Sequence, residues 1–177
     1  KEPHHFAPEL SDYFVTHRSP EDYATLFAGT AEDQFTGEAS VLYLQSETAI
    51  DNILSVRPNA KFIAMVRNPV DMAISLHRQA IKSGHEDKLD FLEAWNLQKR
   101  RKKGLGIPKK RNDADFLQYK KICSLGSQLE RFFDRVPKKQ RLVIVVDDMK
   151  NDMISVYKDC LLFLGLPYDN RTDFNII

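Results

Sequence analysis

At 177 residues, 42% of them hydrophobic and 29% charged, the sequence is long enough for one domain with an ordinary core. The net charge of +1 excludes a global bias toward nucleic acid or anionic membranes, so any basic effect is local. No apolar run approaches the ~20 residues that a membrane span needs. Two cysteines, Cys123 and Cys160, match no metal or redox spacing and read as buried reduced thiols, which leans toward a reducing cytoplasm.

In chain order, Ser19-Pro20-Glu21-Asp22 predicts a helix start, with a cap, a proline at the first position and acids in the first turn. That helix runs to about Phe27, and Gly29 to Gly37 is polar and loop-like. After the short apolar stretch 39–44, Ser46 caps a helix with Ala49, Ile50, Ile53 and Leu54 on one face, ended by Pro58. KFIAMV (61–66) is a continuous apolar run, as expected of a strand covered on both faces. Asn68, Pro69 and Asp71 start the next helix, through about Lys82. Leu89, Leu92 and Trp95 mark another, which runs into a basic loop over 99–112. Leu117, Ile122, Leu125, Leu129, Phe132 and Phe133 predict one long amphipathic helix. RLVIVV (141–146) is the second buried strand, and Met153 to Leu164 the last helix, stopped by Gly165. Alternating strands and helices predict an α/β fold with a parallel sheet flanked by helices.

The junction at Arg67 carries the chemistry. Ligands in α/β sheets bind at the C-terminal ends of strands. A helix N-terminus there offers backbone N–H groups and partial positive charge to a phosphate or sulfate. Arg67 adds a fork-shaped cation, and Ser75 lies on nearly the same helix face as Asn68. On physical grounds two readings stay open: an anion site, or an Arg67–Asp71 ion pair beside an ordinary helix serine.

KFIAMVRNPVDMAIS (61–75) closely resembles K-I-I-x-x-x-R-N-P-x-D-R-A-x-S, the 3′-phosphate-binding segment of sulfotransferases that use 3′-phosphoadenosine 5′-phosphosulfate (PAPS). The resemblance implies that Arg67 and Ser75 contact that phosphate. Met72 replaces a frequent arginine and Ile74 a frequent aromatic. KEPHHF (1–6) resembles the family's K-E-x-H-F-F, which implies Glu2 as general base and His4 as an acceptor-site residue. A carboxylate suits the task, because the acceptor hydroxyl becomes acidic only as the new bond forms and gives up its proton late. His5 stands where phenylalanine is usual. GEAS (37–40) resembles Gly-Glu-Ala-Ser-Pro, with Val41 for the proline and Glu38 as a second candidate for acceptor contact or base. RFFDRVPKKQRLVIVVDDM (131–149) and CLLFLGLP (160–167) also match family segments.

The resemblance implies one P-loop NTPase-like sulfotransferase domain over 1–177, a core fragment of a longer chain. It implies PAPS as sulfuryl donor and no metal. The acceptor is a hydroxyl or amine on a small molecule or glycan, with no nucleic acid. The cysteines lead to the expectation of a cytoplasmic protein, or of a Golgi-lumen one whose anchor was removed. The family's phosphosulfate loop is expected upstream of Lys1; Gly104-Leu105-Gly106 lacks the strand before it and the Gly-Lys-Ser/Thr after it. Eight cations fall in the thirteen positions 99–111 and read as a solvated loop, a lid over cofactor phosphates, a groove for an anionic glycan or a nucleic-acid-binding stretch. Two alternatives remain: a non-catalytic anion- or nucleic-acid-binding relative, and a P-loop kinase using Asp147 and Asp148 for Mg²⁺.

Overall fold

β1 (Phe62–Val66) and β2 (Arg141–Val145) pair in parallel, with Phe62 opposite Arg141 and Val66 opposite Val145. The computed structural model describes residues 2–13, 19–31, 33–109 and 114–174. The chain divides into two compact units, residues 1–58 with 128–135, and residues 59–127 with 136–177.

In the first unit, α1 (Pro20–Thr25) starts as the sequence predicts, with the Ser19 hydroxyl accepting from Asp22 N–H at 3.0 Å. A 3-10 segment over Pro8–Tyr13 precedes it. Two side chains hold the start of α2 (Ala49–Val56), one at its first amide and one at the turn before it. The Ser46 hydroxyl accepts from Ala49 N–H at 2.9 Å, and the Glu9 carboxylate accepts from Glu47 N–H at 3.0 Å and the Thr48 hydroxyl at 2.7 Å. An acid at this end of a helix also meets its dipole favourably. Arg131 donates to the carbonyls of Leu44 (2.9 Å) and Gln45 (3.0 Å) and to Glu47 (3.0 Å), closing the turn before α2.

The second unit carries the sheet. From β1 the chain passes into α3 (Pro69–Lys82) and α4 (Phe91–Arg101), then through α5 (Tyr119–Ile122) toward β2. α7 (Val146–Asn151) and α8 (Met153–Leu164) follow. Gly165 ends α8 in the left-handed conformation at φ 79°. Lys61 Nζ donates to the last carbonyls of α8, Phe163 at 2.7 Å and Leu164 at 2.9 Å. The core gathers Ala73, Ile122 and Cys123 under Met72, Leu76, Phe91 and Trp95, and beside them Ala94, Leu117 and Tyr119.

Three expectations are corrected. The strands are not covered on both faces: Ile63 is 40%, Met65 54% and Val145 40% exposed. Side chains alternate across a strand, so Ile63 and Met65 share the open face. The basic stretch does not begin as a loop, because Lys99, Arg100 and Arg101 belong to α4. The predicted long helix over 117–133 is broken into a 3-10 turn (Asp115–Leu117), α5 and α6 (Leu125–Arg135). Gln118 sits at φ −90°, ψ 66°, held there as its amide donates to the Gln98 carbonyl at 3.0 Å. The Lys120 N–H turns to Gln98 Oε1 at 2.8 Å, so tertiary partners override the periodicity.

Candidate functional site

Glu2 and His4 come together in the first unit. Their backbones are both left-handed, at φ 56° and 49°, a conformation that costs a non-glycine residue ~1–3 kcal/mol and that persists only where surroundings enforce it. Glu2 Oε2 lies 3.6 Å from His4 Nε2. His4 is buried and Glu2 half-buried. The enforcing contacts come from residues 38–43. His4 N–H donates to Ser40 Oγ at 3.0 Å, and Phe6 N–H to the Tyr43 hydroxyl at 3.3 Å. Ser40 and Tyr43 in turn donate to the two oxygens of Glu38, at 2.7 and 2.6 Å. Tyr23 reaches Glu38 at 3.5 Å. Burial, and then the Glu38 charge, push the Tyr23 phenol up to about 12. Burial, and then the hydrogen bond to Glu38, raise Tyr43. Both hydroxyls therefore stay protonated as donors. His5 stacks on Tyr23, ring centres 4.4 Å apart and planes 10° off parallel.

Arg67 and Ser75 belong to the second unit. Arg67 is exposed where β1 ends, and among the described residues it forms no ion pair with Asp71 or any other acid. Its charge is felt by Cys123, whose thiol burial raises to about 11 and Arg67 pulls partly back. Asn68 caps α3, its side-chain oxygen accepting from Val70 N–H at 2.9 Å and Asp71 N–H at 3.4 Å. Pro69 has no N–H, and Met72 N–H bonds to the Asn68 carbonyl. The expectation of free amides at this helix start is therefore corrected: Asn68 has taken them. What α3 offers an anion is its dipole, Arg67, and the exposed Ser75 hydroxyl, which holds no hydrogen bond among the described residues.

The basic stretch conceals a residue that the sequence reading missed. Arg101 is fully buried and forms a two-pronged ion pair with Glu86, Nη2 to Oε1 at 2.6 Å. Tyr119 donates to Glu86 Oε2 at 2.8 Å, and Arg101 Nε to the Gly106 carbonyl at 3.1 Å. Burial works to raise the Glu86 pKa, but these donors and the Lys88 N–H outweigh it and hold it at about 2. The signal was present: Ala94, Gln98 and Arg101 follow the i, i+4, i+7 spacing of one buried face. Lys99, Arg100, Lys102, Lys103 and Lys109 are exposed; Lys110 and Arg111 lie outside the described residues. A cleft of about 310 Å³ beside them mixes Lys88 and Arg100 with Asp87 and Glu93, so it does not select one sign of charge. Asp147 is tied to Lys150 at 2.8 Å in the first turn of α7. No helix among the described residues is long and apolar enough to cross a membrane.

Comparison with known proteins agrees with the geometry. A profile of the sulfotransferase domain matches residues 41–176, a span that contains Arg67 and Ser75 but not Glu2 or His4. The crystal structure of a sulfotransferase from Alicyclobacillus acidocaldarius superposes with TM-score 0.82 at 26% identity, over all of this chain and 74% of that one. The sulfotransferase domain from the curacin biosynthetic pathway gives 0.54 at 18% identity, over 85% of this chain and 45% of that one. No curated protein matches the chain. The parallel strands, the Arg67 junction and a profile match over most of the length together place this chain in the sulfotransferase domain family.

Proposed function

We propose that the protein transfers a sulfuryl group from PAPS to a hydroxyl or amine on a small molecule or glycan. The observation that carries this is Arg67, exposed at the end of β1 without an ion pair among the described residues, followed by the α3 dipole and Ser75. These groups fit a 3′-phosphate: one fork-shaped cation, one hydroxyl donor and a helix start.

PAPS, when bound, supplies an activated sulfuryl group whose sulfur passes to the acceptor oxygen or nitrogen as its bond to the nucleotide breaks. Glu2 takes the proton that the acceptor releases, and His4, 3.6 Å away, orients the carboxylate or the acceptor. Holding the reactants in line and neutralising charge are the main contributions asked of the protein. Sulfuryl transfer of this kind needs no metal. The free Cys123 and Cys160 support a reducing compartment such as the cytoplasm.

The test is a calorimetric titration of adenosine 3′,5′-bisphosphate, with adenosine 5′-phosphate as control. Arg67→Ala should weaken the first by about 1.5–3 kcal/mol, tenfold or more, and leave the second unchanged. Ser75→Ala should act in the same direction by less. Equal affinity for the two nucleotides would remove the 3′-phosphate assignment.

A further inference from the structure

Glu38 faces the Glu2–His4 segment and at first sight offers a second base. Its geometry assigns it another task. One oxygen receives the Tyr43 hydroxyl at 2.6 Å and the Tyr23 hydroxyl at 3.5 Å; the other receives Ser40 at 2.7 Å. A carboxylate so occupied has little capacity left for an acceptor proton. It does something that a neutral group cannot. An ionised carboxylate only accepts hydrogen bonds, so the Ser40 and Tyr43 hydroxyls must point their protons at it. Their remaining lone pairs then face outward as acceptors. Those acceptors meet two backbone N–H groups two residues apart, His4 at 3.0 Å and Phe6 at 3.3 Å. Such relayed bonds polarise one another and strengthen in a partly buried site. Between and beside the two anchored amides lie the left-handed Glu2 and His4, whose side chains meet at 3.6 Å.

We propose that Glu38 is a positioning residue for the Glu2–His4 pair, acting through Ser40 and Tyr43 as a proton-directing clamp on the backbone of residues 4 to 6. The proposal rests on the proposed roles of Glu2 and His4, but the clamp itself is measurable without them.

The experiment follows amide hydrogen exchange and the His4 ring resonances by NMR in the whole chain. Ser40→Ala should speed exchange at His4 more than at Phe6. Tyr43→Phe should do the reverse. Glu38→Gln should speed both by about tenfold or more, because an amide donates as well as accepts and misdirects one hydroxyl. Amides of β1 and α8 should not change. Glu2→Gln moves the His4 Hε1 resonance by removing its neighbour, and Glu38→Gln should move it the same way. With PAPS and a simple phenol as acceptor, Glu38→Gln should lower kcat at unchanged KM for PAPS. The acid limb of its pH profile should remain, whereas a base would take that limb with it. Unchanged exchange at His4 and Phe6 overturns the clamp. Faster exchange everywhere, with a fallen Tm, overturns positioning in favour of general stability. If the bisphosphate titration fails while the exchange pattern appears, the proposed use of PAPS falls and the clamp stands.

Discussion

Arg101→Met should cost far more than any other substitution in the run Lys99–Lys103. Removing one partner of a buried ion pair leaves Glu86 charged without its counter-ion, at a cost of about 3–5 kcal/mol. Thermal unfolding of Arg101→Met beside Lys102→Met measures the contrast; the exposed Lys102 should change stability by less than about 0.5 kcal/mol. The pair also sets an acid limit. The Glu86 pKa is depressed in the folded state, from 4.5 to about 2, so its stabilisation is complete above the unfolded value and drains as pH falls between them. About 3 kcal/mol should disappear between pH 5 and pH 2, and Glu86→Gln should flatten that part of the curve in denaturant titrations at stepped pH. Glu2→Gln, by contrast, should leave Tm unmoved and, under the proposed role of Glu2 as general base, lower kcat by about 10²–10⁴. Arg67, Ser75, Glu2 and His4 stood out in the sequence as candidates through local motifs. Glu86 was not, because its partners sit fifteen and thirty-three positions away and no local pattern joins them.

Among the elements, α1, α3 and α8 follow their written signals almost to the residue, since each has a local cap: Ser19, Asn68 and Gly165. Asn68→Ala should cost about 1 kcal/mol, and should also free the Val70 and Asp71 amides for an anion. The two effects oppose each other, so stability should fall by more than nucleotide affinity does, as paired unfolding and calorimetric measurements would show. The segment 115–135 was misread for the opposite reason. Its apolar spacing is helical throughout, but Gln98 on α4 captures the Lys120 N–H and the Gln118 amide, and the chain bends to meet it.

For the molecule as a whole, the alternation of strand and helix was enough to place the α/β class and the parallel pairing of β1 with β2. It did not reveal which strand faces are covered, because an unbroken apolar run carries no sidedness. Nor did it reveal the division into two units, since that depends on residues 128–135 joining 1–58 across a long stretch of sequence. If the family reading holds for catalysis, transfer rates in EDTA should equal those in Mg²⁺ for the intact protein, whereas a kinase would stop.

Lys61 holds the end of α8 at one end of β1, and Arg67 stands at the other. Five strand residues thus form a ruler with a fixed zero. A slip of one position would tear the lysine from its two carbonyls, turn every side chain of β1 to the opposite face, and carry the guanidinium about 3.3 Å off its mark. The place of Arg67 at the end of β1 is thus set from the far end of the strand, by the hold of Lys61 on the last carbonyls of α8.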